Sequence, residues 1–155
     1  MLLNRPRLEV SIATQTVSLW DGLTLVKTWP CSTSKFGIGF QEGSNQTPLG
    51  RFRIAEKHGA GATEHTVFKG RQPVGQWNPA EGSLGEDLIL ARILWLEGAE
   101  ERNANTFQRY IYIHGTNEEQ KIGQTGSHGC IRLRNADVVE LYEMAEVGWP
   151  VWVNE

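Results

Sequence analysis

The chain is 155 residues long and carries 15 Lys and Arg against 18 Asp and Glu, a formal net charge of −3. This length accommodates one core but is short for two, so we expect a single domain over residues 1–155. The negative balance lacks the basic surface that phosphate contacts require, which argues against nucleic acid as a partner. No window is apolar enough for a membrane span, and six Trp favour a groove or aromatic anchors.

The N-terminal residues do not form the apolar stretch of a secretory signal, because Asn4, Arg5 and Pro6 follow only two leucines. We therefore expect a cytoplasmic protein as the sequence is written, or a periplasmic one if an export signal has been removed. The two cysteines, Cys31 and Cys130, are expected to be reduced, since a disulfide would consume the thiol that has a catalytic context.

The first third of the chain is predicted to be a β-meander followed by a long loop. Residues 7–29 alternate apolar and polar side chains, and Asp21-Gly22 is a hairpin signal because both residues tolerate positive φ. The segment 32–50 is rich in Gly, Ser and Asn, which indicates a surface loop that ends where a strand begins at Arg51.

The remaining predicted strands are short. One begins at Val67-Phe68, and a polar segment follows it over residues 70–86. Two apolar runs, 88–96 and 109–114, predict strands separated by a polar loop, and residues 151–153 predict a last strand.

One segment has helical periodicity. Asn135 is the expected N-cap and Gly148 the expected stop, and between them the apolar residues fall at helical spacing: Val138, Leu141, Tyr142 and Ala145. The sequence therefore predicts a mainly β fold with one clear helix near the C-terminus.

The residues that indicate chemistry lie in two blocks, one ending at His114 and the other around Cys130. A cysteine becomes an acyl-transfer nucleophile when a base, a cation or aligned amides activate the thiol. A fold that joins these blocks would place the imidazole beside the thiol. Gly129 gives the turn the freedom to aim its amides at one point, as an oxyanion hole requires. Arg132 would share the face of Cys130 along an extended strand.

These blocks resemble the catalytic domain of the L,D-transpeptidase (YkuD) family. The likeness rests on His114-Gly115, on Ser127-His128-Gly129-Cys130 with Arg132, and on the strand sequence from Thr47 to Ile54, TPLGRFRI; the hairpins from Ile12 to Trp29 are similar as well. The resemblance implies a YkuD-like β-sandwich catalytic domain.

The resemblance also implies roles for individual residues. Cys130 is the expected nucleophile, His114 the general base, and the Gly115 carbonyl the group that orients the imidazole. The amides of His128, Gly129 and Cys130 are expected to form the oxyanion hole. Three further residues are candidate substrate contacts: Arg132, expected to hold a substrate carboxylate, Ser127, and more weakly Tyr112, because an aromatic residue in a strand is more often core.

In this family the cysteine attacks the L-centre carbonyl of a peptidoglycan tetrapeptide stem and expels the terminal D-Ala. The acyl-enzyme passes to an amine, or to water as in an L,D-carboxypeptidase, which we favour for soluble muropeptides if the protein is cytoplasmic. Carbapenems are expected inhibitors, and no cofactor or metal is expected. One alternative is a catalytically inert peptidoglycan-binding module. The third is a zinc peptidase whose ligands would be His58 and His65 with His114 and Cys130, although their spacing is not that of a known zinc site.

Overall fold

The computed structural model describes residues 6–155. This part of the chain contains one α-helix, α1 (Asn135–Met144), and ten strands. The strands are β1 (Pro6–Ser11), β2 (Thr16–Asp21), β3 (Thr24–Pro30), β4 (Gly50–His58), β5 (Thr66–Lys69), β6 (Gln72–Gln76), β7 (Ile89–Gly98), β8 (Tyr112–Gly115), β9 (Ile131–Arg132) and β10 (Pro150–Asn154).

The strands form one hydrogen-bonded sheet that branches at β7. The main path runs in the order β3-β2-β1-β10-β4-β7-β5-β6, while β8 pairs with β7 and carries β9 on its other edge. The β1–β10 and β8–β9 pairs are parallel and the other pairs are antiparallel. The prediction of a mainly β protein with one helix near its C-terminus is confirmed.

The main core lies between the sheet and α1, which packs against β7 and β8. Val138 and Leu141 on the helix, and Ile113 and Ile131 on β8 and β9, are fully buried in it. The side chains of α1 that enter the core are the ones whose helical spacing predicted the element, because burial of this face is the main source of its stability.

A β-bulge in β7 lies opposite the predicted general base. The β7–β8 register shifts between Leu90 and Ile93, which pair with Gly115 and His114. Ala91, inside the bulge, has φ of 70° although it is not glycine. Bulges bend a strand and re-aim the side chains around them, and the strain of a left-handed alanine persists only where packing enforces it. The bulge therefore sets how β8 presents His114.

Several local predictions were wrong. The polar segment 70–86 contains β6, whose residues are all exposed and so give no alternating pattern. The predicted cap Asn135 is the first residue of α1, and its side chain points away from the helix. Its Oδ1 accepts from the Thr116 N–H at 2.7 Å, and its Nδ2 donates to the Thr116 carbonyl at 3.0 Å. The Asn135 N–H is instead satisfied by the Glu119 carboxylate at 2.9 Å.

No helix within residues 6–155 has both the length and the apolar character that a membrane crossing requires.

Candidate active site

The β8–β9 register places the predicted catalytic residues on one face of the sheet. Ile113 pairs with Ile131 and His114 with Arg132, so the side chains of His114 and Arg132 point to the same side. Cys130 immediately precedes β9, and its side chain joins a second, smaller apolar cluster that includes Tyr112 and Trp95. The opposite face of both strands belongs to the main core. The site therefore lies on the side of β8 that faces away from α1.

Cys130 is held as a neutral thiol. Its Sγ accepts a hydrogen bond from the Tyr112 N–H and donates one to the Tyr110 carbonyl oxygen, both at 3.3 Å. Burial among the surrounding side chains raises the pKa of the Cys130 thiol to about 12, an effect that the Tyr112 N–H, Arg132 and Arg109 oppose only in part. A standing thiolate is therefore not the resting state of this site.

His114 is held as a neutral imidazole with a defined tautomer. Its Nδ1 donates to the Gly115 carbonyl oxygen at 2.5 Å, and because a carbonyl only accepts, Nδ1 carries the proton and Nε2 the lone pair. The residue is only 2% exposed, and this burial lowers the pKa of His114, whereas Asp87 and the Gly115 carbonyl act in the opposite direction. Such an imidazole is ready to accept a proton at neutral pH.

The side chains of His114 and Cys130 lie on the same face of the sheet. No hydrogen bond joins His114 Nε2 to Cys130 Sγ, because the sulfur is turned toward the main chain of Tyr110 and Tyr112. The catalytic assignment predicts that the two groups lie within about hydrogen-bond reach, and somewhat farther apart without a ligand. A neutral thiol gains a carbonyl acceptor in this orientation, and proton transfer to His114 requires rotation of the Cys130 side chain.

The turn before Cys130 is fixed by hydrogen bonds to its own main chain. The Ser127 hydroxyl donates to the Cys130 carbonyl at 2.6 Å and accepts from the Gly129 N–H at 3.2 Å, and the Thr47 hydroxyl donates to the Gly129 carbonyl at 3.0 Å. Gly129 has φ of 121°, a conformation that side chains disfavour. Within residues 6–155, the N–H groups of His128 and Cys130 make no hydrogen bond, whereas that of Gly129 is occupied.

Ser127 and Tyr112 are therefore not placed as direct substrate contacts. The Ser127 side chain is buried and holds the turn. The Tyr112 ring is buried edge-on against Trp95, at 5.6 Å between ring centroids, and the residue meets the sulfur through its main-chain N–H. His128, in contrast, is exposed, and a cavity of about 130 Å³ opens beside it, between His128 and Tyr110.

Arg132, predicted to hold a substrate carboxylate, lies in a buried ion-pair network in the structure. Arg132 is 0% exposed, and its Nη1 donates to Glu118 at 2.8 Å and to Asp87 at 3.0 Å. Its Nη2 donates to the Ser32 hydroxyl at 3.1 Å. A guanidinium already neutralised by two carboxylates does not attract a third, so Arg132 supports the site from beneath.

Asp87 is a site residue that the sequence did not reveal. One carboxylate oxygen accepts from Arg132, and the other contacts His128 Nδ1 at 3.2 Å. The pKa of the Asp87 carboxyl is lowered; burial opposes the change, and His114, Arg132 and His128 together outweigh it. The only available signal was an acidic residue just before the β7 run, and its partners lie more than 40 positions away, at Arg132 and His128.

The histidines that a zinc site would need are engaged elsewhere. His58 contacts Glu56 at 2.9 Å, and the His65 ring packs edge-on against Trp77 at 5.5 Å. Across the described residues, no group of three or more His, Cys, Asp or Glu side chains is arranged to hold a metal ion.

Comparison with protein families assigns this arrangement to a known class. The model of the YkuD family, the L,D-transpeptidase catalytic domain, matches residues 5–153. The chain belongs to the YkuD family of L,D-transpeptidase catalytic domains.

Individual YkuD relatives agree in sequence and in fold. A putative L,D-transpeptidase YkuD of Bacillus licheniformis is 31% identical over 142 residues, which cover 92% of this chain and 61% of that protein. The chain thus spans about three fifths of that relative's length. An L,D-transpeptidase from Mycobacterium smegmatis has the same fold, with a TM-score of 0.62 at 18% identity, covering 97% of this chain and 58% of the other. An LD transpeptidase solved in complex with imipenem gives 0.59 at 20% identity, with coverages of 96% and 58%.

Proposed function

We propose that this YkuD domain carries out cysteine acyl transfer on peptidoglycan tetrapeptide stems, with Cys130 as nucleophile and His114 as general base. The observation that carries the proposal is the state of His114. Its imidazole is neutral, is locked through Nδ1 to Gly115, and lies on the face that bears Cys130. A packing histidine needs no such lock, whereas a general base does.

The reaction begins when the Cys130 side chain rotates from Tyr110 toward His114. Nε2 takes the thiol proton as Sγ attacks the L-centre carbonyl, and the carbonyl electrons move to oxygen. The free N–H groups of His128 and Cys130 are the donors for this oxyanion, because the Gly129 N–H is bonded to Ser127. Protonated His114 then gives its proton to the departing D-Ala amine, the carbon–nitrogen bond breaks, and a thioester remains on Cys130.

The second half of the reaction reverses the roles. An amine or water gives a proton to His114 and attacks the thioester carbonyl, and the Cys130 sulfur leaves and is reprotonated. With an amine the result is transpeptidation, and with water it is L,D-carboxypeptidation, so the same residues serve both outcomes. We favour hydrolysis of soluble muropeptides if the native protein is cytoplasmic, which fractionation of the native protein tests.

Asp87 is proposed as a positioning residue for this chemistry. It binds the exposed His128 ring and the buried Arg132 guanidinium, and its negative charge favours the imidazolium that forms at His114 during transfer. It thereby links the turn that carries the oxyanion donors to the strand that carries the base.

The resemblance to the imipenem complex also supports carbapenems as ligands, because a β-lactam carbonyl acylates the same nucleophile.

Incubation with a disaccharide-tetrapeptide, with and without a D-amino acid, tests the reaction. We expect release of D-Ala by the wild type and by Cys31→Ala, and none by Cys130→Ala. Tripeptide as the main product indicates hydrolysis, and stem exchange indicates transfer. Equal turnover by Cys130→Ala would refute the mechanism, and a catalytically inert binding module would show no turnover in any variant.

A further inference from the structure

The tip of the β5–β6 hairpin directs a cation onto the catalytic face. Gly70 and Arg71 form the two-residue turn, with φ of 55° and 63°, the double left-handed geometry that tight hairpins use. Arg71 is half-buried. In the structure its side chain folds back over the aromatic residues of the smaller cluster. The guanidinium lies 4.7 Å from the Trp95 ring centroid and 5.6 Å from that of Tyr110.

The Arg71 guanidinium is oriented but not neutralised. One nitrogen, Nη1, donates to the Tyr112 hydroxyl at 3.2 Å. Among the described residues no carboxylate forms an ion pair with it, so donors remain available to a ligand. A cavity of about 540 Å³ borders Arg71 and is lined as well by Phe68, Thr63 and Gln76. The chain therefore presents a fixed, uncompensated cation beside open space.

The same aromatic residues connect Arg71 to the nucleophile. Tyr112 meets the Cys130 sulfur with its N–H and Arg71 with its hydroxyl, so the sulfur and the guanidinium lie at opposite ends of one tyrosine. Tyr110 also contacts both, through its carbonyl to the sulfur and through its ring to Arg71. The separation of the two groups is thus set by the length of a tyrosine residue.

The guanidinium groups of two other arginines near Cys130 already have partners within the chain. Arg132 is buried against Asp87 and Glu118. Arg109 donates to the Gln46 carbonyl at 2.7 Å and to the Gly39 carbonyl at 3.2 Å, and it is partly buried. Arg71 and Arg109 are both partly exposed, but of these three arginines Arg71 has the fewest hydrogen bonds to the rest of the chain.

We propose that Arg71, stacked on Trp95 and Tyr110, binds a free carboxylate at the far end of the side chain of the third stem residue. This inference rests on the proposed function, because it assumes that the carbonyl of that residue reacts at Cys130. A diamino diacid at this position carries its second carboxylate about one long side chain away from the scissile carbonyl, which matches the span of Tyr112. The terminal D-Ala carboxylate is closer to the scissile bond. Arginine binds carboxylates in a bidentate manner, so the subsite distinguishes an acid from its amide.

The test compares three tetrapeptides, whose third residue is a diamino diacid, the same residue with its distal carboxylate amidated, or lysine. We expect Arg71→Met to lower kcat/KM for the acid about 10- to 100-fold, the range of a charge-assisted hydrogen bond, and to leave the amide and lysine stems unchanged. Arg71→Lys should recover part of the loss, since it keeps the charge without the planar fork. Lys69→Met is the matched control, an exposed cation on the same hairpin, and should not discriminate between stems.

Binding to Cys130→Ala protein separates this inference from the proposed function. Tighter binding of the acid stem than of the amide stem, with the difference abolished by adding Arg71→Met, supports the subsite. If no stem acylates the wild type, the acyl-transfer proposal is refuted, but this binding result still supports the subsite. Equal binding and equal turnover of acid, amide and lysine stems would overturn the subsite. Thermal unfolding of the variants verifies that they fold. Met and Lys are both unbranched at Cβ, as Arg is, so they should tolerate the left-handed backbone at position 71 equally well.

Discussion

At the scale of single residues, the proposed mechanism requires a proton to pass between two groups that are both neutral in the structure. Burial raises the pKa of Cys130 to about 12 and lowers that of His114, so both groups are uncharged at neutral pH. A stable thiolate–imidazolium pair is therefore disfavoured without substrate, and the thiol should react slowly with soluble alkylating agents. In the proposed mechanism, deprotonation of Cys130 therefore accompanies attack, because bond formation to the substrate carbonyl offsets the cost of removing the proton.

Asp87 affects the pKa values of both His114 and Cys130, so its removal should shift both of them in the same direction. Its carboxylate raises the pKa of His114 and of Cys130, so Asp87→Asn should lower both. We expect the acid limb of the kcat/KM profile, which reports neutral His114, to move to lower pH. Iodoacetamide should alkylate Cys130 faster at a given alkaline pH.

Glu86→Gln is the matched control, an exposed neighbour that makes no side-chain contact with the site residues. A purely structural role for Asp87 would reduce the rate without displacing the two titrations. An acid limb that stays in place, or moves upward, would contradict the assignment.

At the scale of elements, Arg132 joins β9 to the loop that carries Asp87 and to the segment that carries Glu118. Replacing Arg132 by Met removes the buried cation that Asp87 and Glu118 share and leaves only Lys121 at Glu118 and His128 at Asp87. Such one-sided removals cost about 3–5 kcal/mol. Chemical denaturation should show this loss, while Arg134→Met, at an exposed position two residues along, should have little effect. Comparable stability of the two variants would mean that Arg132 holds no structural role.

The sequence predicted those elements whose side chains enter the main core. The meander and α1 follow from periodicity, since burial of one face imposes a repeat of two or of 3.6 residues, and β7 follows from an apolar run that is buried on both faces. β6 escaped because both of its faces are exposed. Residues 109–111 were predicted as part of a strand. Instead, Arg109 ends a short 3-10 turn, Phe107–Arg109, and Tyr110 has a left-handed conformation.

The site was predictable as a set of residue types rather than as a set of contacts. Strand alternation placed Arg132 on the catalytic face, as observed, yet periodicity does not state what covers that face. The acidic residues that bury Arg132 come from other segments, 45 and 14 positions away. Arg71 lies in the β5–β6 turn, and the position of this turn relative to the site depends on where β5 pairs with β7. Long-range pairing of this kind has no local signature.

At the scale of the whole molecule, the buried titratable groups limit the stable pH range from both sides. His114 has a lowered pKa, so the unfolded chain binds its proton first, and stability falls as pH drops below 6.5. The pKa values of Cys31 and Cys130 are raised from 9.0 to about 12, so the unfolded chain loses these protons first. Stability therefore falls as pH rises above 9.0.

Each thiol contributes at most about 1.4 kcal/mol per pH unit to the alkaline loss. Urea unfolding between about pH 5 and 11 measures both limbs. Cys130→Ala should lower the alkaline slope by the share of one thiol and leave the acid limb unchanged. A stability that does not change between pH 9 and 11 would show that the thiols are not buried as neutral groups.

The central claim is that Cys130 becomes acylated with His114 as its base. The most direct measurement is peptide-level mass spectrometry after brief exposure to the tetrapeptide or to imipenem. We predict an adduct on the peptide that contains Cys130, formed at a rate that falls about 100-fold or more in His114→Gln, as expected for the loss of a general base. An adduct confined to Cys31, or one that forms on Cys130 at the same rate without His114, would contradict the account.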